Sequence, residues 1–157
     1  MHTATLLPDG KVMICGGWST TRVPLDSTEI YDPATNEFTA GPTMSMPRAF
    51  HTATILPDGD ILVTGGVTHT YRSTTNTTEI YSVKEGTFKR GPSMIIPRDD
   101  HCAVLLTSGK IWIGGGSGMS AGKSTEIFDP VTNKFEKSKY LLQEREGASA
   151  ALVHSSV

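Results

Sequence analysis

Three histidines recur along the chain at nearly equal spacing, and histidine can bind metals or transfer protons near neutral pH. His51 follows His2 by 49 residues, and His101 follows His51 by 50. A metal site would require the three imidazoles to converge within bonding distance of one ion. Residues that recur once per repeat are instead spread around an axis. We therefore interpret these histidines as scaffold residues that satisfy backbone groups.

A glutamate and an arginine also recur with this spacing. Two carboxylates a few ångströms apart can perform acid–base chemistry. A single carboxylate in each repeat is better explained as an ion-pair or hydrogen-bond partner, and the arginines supply the counter-charges. The residues concerned are Glu29, Glu79 and Glu126, with Arg48, Arg98 and Arg145.

The segment Gly122-Lys123-Ser124 has the ending of a phosphate-binding loop. That motif needs a further glycine at position 117, which is Ser117, and a helix after the loop whose N-terminus helps to hold the phosphate. Residues 125–128 have the pattern of a strand instead. We predict no phosphate site here.

These side chains belong to a unit that recurs about every 50 residues, which indicates a repeat architecture. In the second copy, the alternation of residue types predicts strands over 52–56, 60–64 and 78–81, and a fourth strand that contains Phe88. Pro57-Asp58-Gly59 predicts a tight turn between the first two strands. No segment has a sustained apolar period of 3.6 residues, so we expect essentially no helix. A repeated four-stranded unit of this size is typical of a β-propeller blade.

The chain is predicted to be a single array, 1–157, with approximate repeats 1–47, 48–97 and 98–144 and a partial fourth repeat, 145–157. The partial repeat provides the first strand of a fourth blade. Propellers close with about four to eight blades, so this all-β fold is a partial ring or half-propeller. Two chains could close a six-bladed ring, or the chain could be a segment of a longer propeller. The segment is favoured, because in a half-ring the surplus strand at 148–153 would duplicate the role of residues 3–7 of the partner, although self-association is compatible with either.

The repeat resembles that of the kelch family, and most closely the kelch repeats of the galactose-oxidase-like group. The resemblance rests on Leu-Pro-Asp-Gly at 56–59, Gly65-Gly66 after the second strand, Glu-Ile-Tyr-Asp-Pro at 29–33 and an aromatic residue in the fourth strand. It implies a β-propeller of four-stranded blades. The chain departs from the pattern in having Phe where kelch repeats typically have Trp, and Ser138-Lys139 where the other copies have Gly-Pro.

The loops that follow the Gly-Gly pairs break the repeat, and we expect them to emerge on one face of the disc. Loops borne on a rigid scaffold are where recognition sites usually lie. Trp, Tyr and Arg are enriched at interface hot spots, and these loops contain them. The predicted partner-binding residues are Trp18, Arg22, His69, Tyr71 and Arg72.

Two functions are compatible with such a propeller. The first is a binding module that recognises a protein or glycan through the loops of one face. The alternative is a segment of a kelch-propeller enzyme, of the sugar epimerase or oxidase type, with its catalytic residues mostly outside this chain. Resemblance to the copper-radical oxidases implies a Tyr-His pair, but the matching positions are Phe50-His51 and Asp100-His101. We therefore favour the binding module and predict no catalytic residue, metal or cofactor in this chain.

Composition narrows the partners further. The formal net charge is −2 and Lys and Arg are scattered, so the sequence predicts no basic surface for nucleic acid. The chain also lacks a stretch of roughly 18 apolar residues, so we predict no membrane-spanning helix. Cys15 and Cys102 fall on strands of non-adjacent repeats, so we expect two buried free thiols. Together with the absence of a signal peptide before the first repeat, free thiols favour a cytoplasmic location. Bare blade faces would need cover, which predicts self-association.

Overall fold

A computed structural model describes residues 1–69 and 73–153, which form twelve β-strands and no helix. In this part of the chain there is accordingly no helix that could cross a membrane. The strands are β1 (Thr3–Leu6), β2 (Val12–Cys15), β3 (Thr28–Asp32), β4 (Glu37–Ala40), β5 (Thr52–Ile55), β6 (Ile61–Thr64), β7 (Thr78–Ser82), β8 (Thr87–Arg90), β9 (Cys102–Leu105), β10 (Ile111–Gly114), β11 (Thr125–Asp129) and β12 (Lys134–Lys137).

The twelve strands form three antiparallel meanders of four strands each, in chain order. We call them blade 1 (β1–β4), blade 2 (β5–β8) and blade 3 (β9–β12). The predicted strands are confirmed to within a residue or so. For example, β5 ends at Ile55 because Leu56 already belongs to the turn, where its carbonyl accepts the backbone N–H of Gly59 at 2.9 Å. Gly59 has a φ of 91°, which glycine adopts without strain.

The first strand of each blade is the inner one, since β1, β5 and β9 contact one another across the blades. The fourth strands are the outermost and largely exposed. Backbone hydrogen bonds join the inner ends: Phe50 N–H donates to the Met1 carbonyl, Asp100 N–H to the Phe50 carbonyl and Gly147 N–H to the Asp100 carbonyl, each at 2.9 Å. One residue per blade therefore links the blades around the axis.

The hydrophobic cores lie between the blades, as expected when each repeat buries its apolar face against its neighbour. The core between blades 1 and 2 contains Leu7, Met13, Cys15, Met44, Ile61, Val63 and Tyr81. The core between blades 2 and 3 contains Leu56, Leu62, Met94, Ile111, Ile113 and Phe128. Each blade thus presents one apolar face forward and one backward along the ring. Both faces are covered in blade 2, whereas blades 1 and 3 each have one that is not.

The segment predicted to begin a fourth blade continues the inner arrangement through Gly147. Beyond that residue, 148–153 lie outside any strand. Ala148, Ser149 and Ala150 line the axial side of the molecule next to β9, the place that a fourth inner strand would occupy. The predicted first strand of a fourth blade is therefore not formed in the described residues. The architecture is a partial propeller of three complete blades.

Candidate functional site: the loop face and the axial groove

Two sets of loops meet at one end of the blades: those after the Gly-Gly pairs and those that connect one blade to the next. The second glycine of each pair donates its backbone N–H to the carbonyl of the arginine in the connecting loop. The distances are 2.8 Å for Gly17 to Arg48, 2.9 Å for Gly66 to Arg98 and 2.7 Å for Gly116 to Arg145. The loops therefore emerge on one face, as the sequence predicts, and we call this the loop face.

Close backbone approach explains why the first glycine of each pair is needed. Gly65 has a φ of 63°, and a Cβ at this position would lie 2.3 Å from the carbonyl oxygen of Arg98. Gly16 is in the same situation against the carbonyl of Arg48. These glycines are scaffold residues that set how closely one blade can approach the next.

Trp18 lies on the loop face at the junction of blades 1 and 2. It is half-buried and packs edge-to-face against Phe50, with ring centroids 6.3 Å apart. An isolated bridge between Trp18 and Pro24 closes its loop. Arg22, at the tip of the same loop, is exposed and has a φ of 59°. This loop therefore presents a cation beside a partly exposed indole.

The other two loops contribute more exposed residues. His69, in the blade 2 loop, is exposed, while Tyr71 and Arg72 lie outside the described residues. In the blade 3 loop Met119 is 91% exposed, although Ala121 two residues further on is fully buried. Sequence reasoning missed Phe50 and Met119. The signals were present, because Phe50 stands where Asp100 stands in the next repeat and Met119 lies in a loop that departs from the repeat.

An axial groove of about 320 Å³ opens between the inner strands and residues 148–150. Thr3, Thr52 and Cys102 occupy equivalent positions of the three inner strands and line it. Both cysteines are free, as predicted; Cys15 is buried and Cys102 is half-buried. The groove is thus lined mainly by small side chains, threonine, serine and alanine, together with a thiol.

Two of the recurring histidines form part of the groove wall and connect blades. His51 Nε2 lies 3.0 Å from the Thr3 hydroxyl of blade 1, and His101 Nε2 lies 2.9 Å from Thr64 and 3.1 Å from Thr52 of blade 2. Both rings are 5% exposed. This pair therefore connects blades as part of the scaffold, but its Nε2 partners are threonine hydroxyls and not the backbone groups predicted from the sequence. His2 is exposed.

Burial fixes the protonation state of these two histidines. It lowers the pKa of His51 to about 3, and the positive charge of Arg48 adds to the effect. Burial next to Arg98 lowers the pKa of His101 to about 3 in the same way. Both imidazoles are therefore neutral at physiological pH. Among the described residues, no group of three or more His, Cys, Asp or Glu side chains could hold a metal ion.

The predicted arginine–glutamate pairs are confirmed in blades 2 and 3. Arg48 is fully buried and forms an ion pair with Glu79 at 3.1 Å, and its guanidinium also donates to the carbonyls of Gly65 and Thr77. Arg98 repeats the arrangement with Glu126 at 2.9 Å. Each arginine is attached by its backbone to one blade and inserts its side chain into the next. The remaining members, Glu29 and Arg145, are exposed.

Three four-stranded meanders around a common axis, joined by buried Arg–Glu pairs and Gly-Gly turns, define a β-propeller module. The kelch motif matches residues 2–45 and 47–95. The chain belongs to the kelch family.

Solved structures give the same fold. A fungal alcohol oxidase of the AA5 family, in complex with copper, is 22% identical with a TM-score of 0.66, over 86% of this chain and 29% of that protein. YjhT is 14% identical with a TM-score of 0.78, over 93% of this chain and 54% of that protein. The chain therefore spans between about a third and about a half of the length of these proteins. No curated protein matches the sequence.

Proposed function

We propose that this kelch module is a binding domain that recognises its ligand through the loop face. The observation that supports it is the placement of Trp18, Arg22 and Met119 on loops of one face that depart from the repeat, while the scaffold beneath them is fixed by buried ion pairs. Aromatic side chains provide a large contact area at low cost in conformational entropy, and aromatic and arginine residues are enriched at interface hot spots. The scaffold therefore holds the recognition residues in place before the ligand arrives.

Of the two ligand classes compatible with this face, protein or glycan, the side chains favour a protein. Val23 is 47% exposed and Met119 is 91% exposed, and the flexible methionine side chain adapts to irregular polypeptide surfaces. A sugar ring is best held by a freely exposed flat aromatic face. The indole of Trp18 is half-buried against Phe50 and offers only part of its surface.

The alternative function, a segment of an oxidase or epimerase, has support from structural similarity at the level of the fold alone. The residues that precede the buried histidines are Phe50 and Asp100, and neither provides the phenol that the resemblance to copper-radical oxidases implies. The histidines themselves are engaged with threonines of the preceding blade. The binding module therefore remains the better-supported proposal.

The test is selection on the immobilised chain with a displayed random-peptide library and, in parallel, with a panel of neutral and acidic oligosaccharides. Peptides selected by the wild-type chain should lose at least about 10-fold in affinity for the variants Trp18→Ala and Met119→Ala. The matched control is Val131→Ala, which removes an equally exposed apolar side chain (92%) from the turn between β11 and β12, at the opposite end of the blades. Selection of oligosaccharides alone would favour the glycan ligand. Binding that is indifferent to the loop variants would refute the proposal.

A further inference from the structure

The two uncovered blade faces contain complementary halves of the ion pair that joins the blades elsewhere. Arg48 and Arg98 are anchored on one blade and inserted into the next, where they are 0% exposed. Arg145 is anchored in the same way on blade 3, through its carbonyl to Gly116 N–H and its N–H to the Gly122 carbonyl, but its side chain is exposed. Among the described residues, none of the ion pairs includes it.

Blade 1 contains the matching acceptor. Glu29 occupies the position of Glu79 and Glu126, which are 1% and 0% exposed because the preceding blade covers them. Glu29 itself is exposed. The carbonyls of Gly16 and Ser27 occupy the positions at which Gly115 and Ser124 accept hydrogen bonds from Arg98. Blade 1 therefore has the equivalent acceptors of the arginine pocket, and no arginine of the described residues occupies it.

A second polar contact is repeated at the same junctions. Glu79 accepts the backbone N–H of Ser45 at 2.7 Å, and Glu126 accepts that of Ile95 at 2.7 Å, both from the loop of the preceding blade. The equivalent residue after blade 3 is Leu142, which is 96% exposed. A carboxylate in the position of Glu29 would thus receive the N–H of Leu142 together with the guanidinium of Arg145.

The apolar surfaces around these groups also match the cores between blades. On the open face of blade 1, Leu6 is 64% and Phe38 is 61% exposed. On the open face of blade 3, Trp112 stands at the position of Met13 and Leu62, which fill the two existing cores. Gly114 makes room for it, since a Cβ there would lie 2.3 Å from the indole ring. One face is thus rich in exposed side chains and the other presents a large indole.

We propose that these two faces bind each other between copies of the chain, with Arg145 of one copy inserted beside Glu29 of a second. Two copies then make the contact twice and close a ring of six blades, a number within the range in which propellers close. The partner is a second copy because its open faces place Glu29, the carbonyls of Gly16 and Ser27, and Arg145 where the junctions inside the chain have the equivalent groups. This dimer uses the blade faces and is independent of ligand binding on the loop face.

In the closed ring, the inner strand β1 of the second copy takes the place next to β9 that residues 148–150 now occupy. Those residues form no strand, so their displacement breaks no sheet pairing. Met1 of the second copy corresponds to Gly147, so its N–H would replace that of Gly147 as the donor to the Asp100 carbonyl and continue the inner line of backbone hydrogen bonds.

The proposal can be tested on the full chain by measuring its mass in solution and by exchanging the charges at positions 29 and 145. Sedimentation equilibrium of the wild-type chain should give twice the chain mass of 16.8 kDa. Arg145→Ala should raise the dimer dissociation constant at least about 100-fold, because it leaves a buried carboxylate without its counter-charge. Both Arg145 and Glu29 are exposed in the single chain, so circular dichroism should show that the variants fold.

The decisive experiment mixes two charge reversals. Glu29→Arg and Arg145→Glu should each be monomeric alone, because both contacts of the dimer then join like charges. A mixture of the two should associate, since one contact is then native and the other has opposite charges. The matched control is Arg90→Glu on the outer strand of blade 2, which should dimerise like the wild-type chain. A wild-type mass of 16.8 kDa at every concentration, open polymers, or a mixture no more associated than its components would overturn the proposal.

Fluorescence provides a readout at the contact itself. Acrylamide quenching of Trp112, taken as the difference between the wild-type chain and Trp112→Phe, should be weaker in the dimer than in the Arg145→Glu monomer. Equal quenching in a wild-type dimer would place the contact elsewhere and overturn the proposal.

Discussion

Arg98 and Glu126 form a fully buried ion pair, 2.9 Å between Nη2 and Oε1, that joins the loop after blade 2 to the third strand of blade 3. The guanidinium also donates to the carbonyls of Gly115 and Ser124 at 2.7 and 3.0 Å, and the carboxylate accepts two backbone N–H groups from the preceding loop. Burial of both charges is costly, and the network of hydrogen bonds offsets that cost. Loss of either residue should therefore destabilise both blade 2 and blade 3.

We expect Arg98→Ala to lower the free energy of unfolding by about 3–5 kcal/mol, because Glu126 would remain buried without a counter-charge. Urea denaturation followed by circular dichroism measures the change. The control is Lys89→Ala, which breaks the exposed pair with Glu85 and should cost at most about 0.5 kcal/mol. Equal effects of the two substitutions would show that the buried pair is not a structural joint.

We expect Gly65→Val to prevent stable folding. The substitution combines a φ of 63° with a Cβ that would overlap the Arg98 carbonyl oxygen, and a β-branched residue is strongly disfavoured at such an angle. Gly10→Ala is the matched control, since Gly10 also has a positive φ but a Cβ there meets nothing within 4 Å. That variant should lose only about 1 kcal/mol. Thermal melting of the two variants measures the difference.

Stability should fall as the solution is acidified. The pKa of His51 and of His101 is about 3 in the folded chain and about 6.5 when unfolded. Between these values the unfolded chain binds protons that the folded chain does not. The stabilisation is complete above about pH 6.5 and is lost toward pH 3, by up to about 1.4 kcal/mol per pH unit for each histidine.

Urea denaturation at a series of pH values, with His101→Gln alongside the wild-type chain, measures this dependence. The glutamine variant retains one buried histidine, so the slope of its unfolding free energy against pH should be about half as steep between pH 6.5 and 3. Parallel curves would mean that His101 is not the titrating group.

The two thiols should react at different rates in the native chain. Burial raises the pKa of Cys15 to about 12, and the pKa of the half-buried Cys102 is also raised, chiefly by burial. The thiolate is the reactive form, so iodoacetamide should modify Cys102 first and Cys15 only on unfolding. Mass spectrometry of chains with a single cysteine, made by Cys15→Ala or Cys102→Ala, distinguishes the two.

The fold was predictable from the sequence because turn residues of characteristic type mark the strand boundaries at the same places in each repeat. Leu56 to Gly59 fix one reversal, Gly65-Gly66 fix the next, and Glu79 recurs where a counter-charge is available. The burial of each side chain was harder to predict from the sequence, because it depends on which neighbouring blade covers the residue. Glu29 and Glu79 occupy equivalent positions in the sequence, yet one is exposed and the other is 1% exposed.

The recognition surface was only partly predictable, for a similar reason. Trp18 was identified by residue type and by its place in a variable loop. Its contact with Phe50 depends on the packing of two loops that are more than 30 residues apart in sequence, and no local pattern shows it. The partners of the histidines could be assigned only once the inner strands of adjacent blades were placed side by side.

The placement of each arginine has a consequence for how the molecule comes apart. Its main chain is fixed on one blade and its side chain completes the interior of the next, so neither blade has a finished interior by itself. In repeat proteins the free energy of the contacts between neighbours determines whether units melt singly or together. Here that coupling runs through buried charges whose separation is costly at every intermediate stage. Fraying from one end should be suppressed, and the blades should lose their structure in one concerted transition.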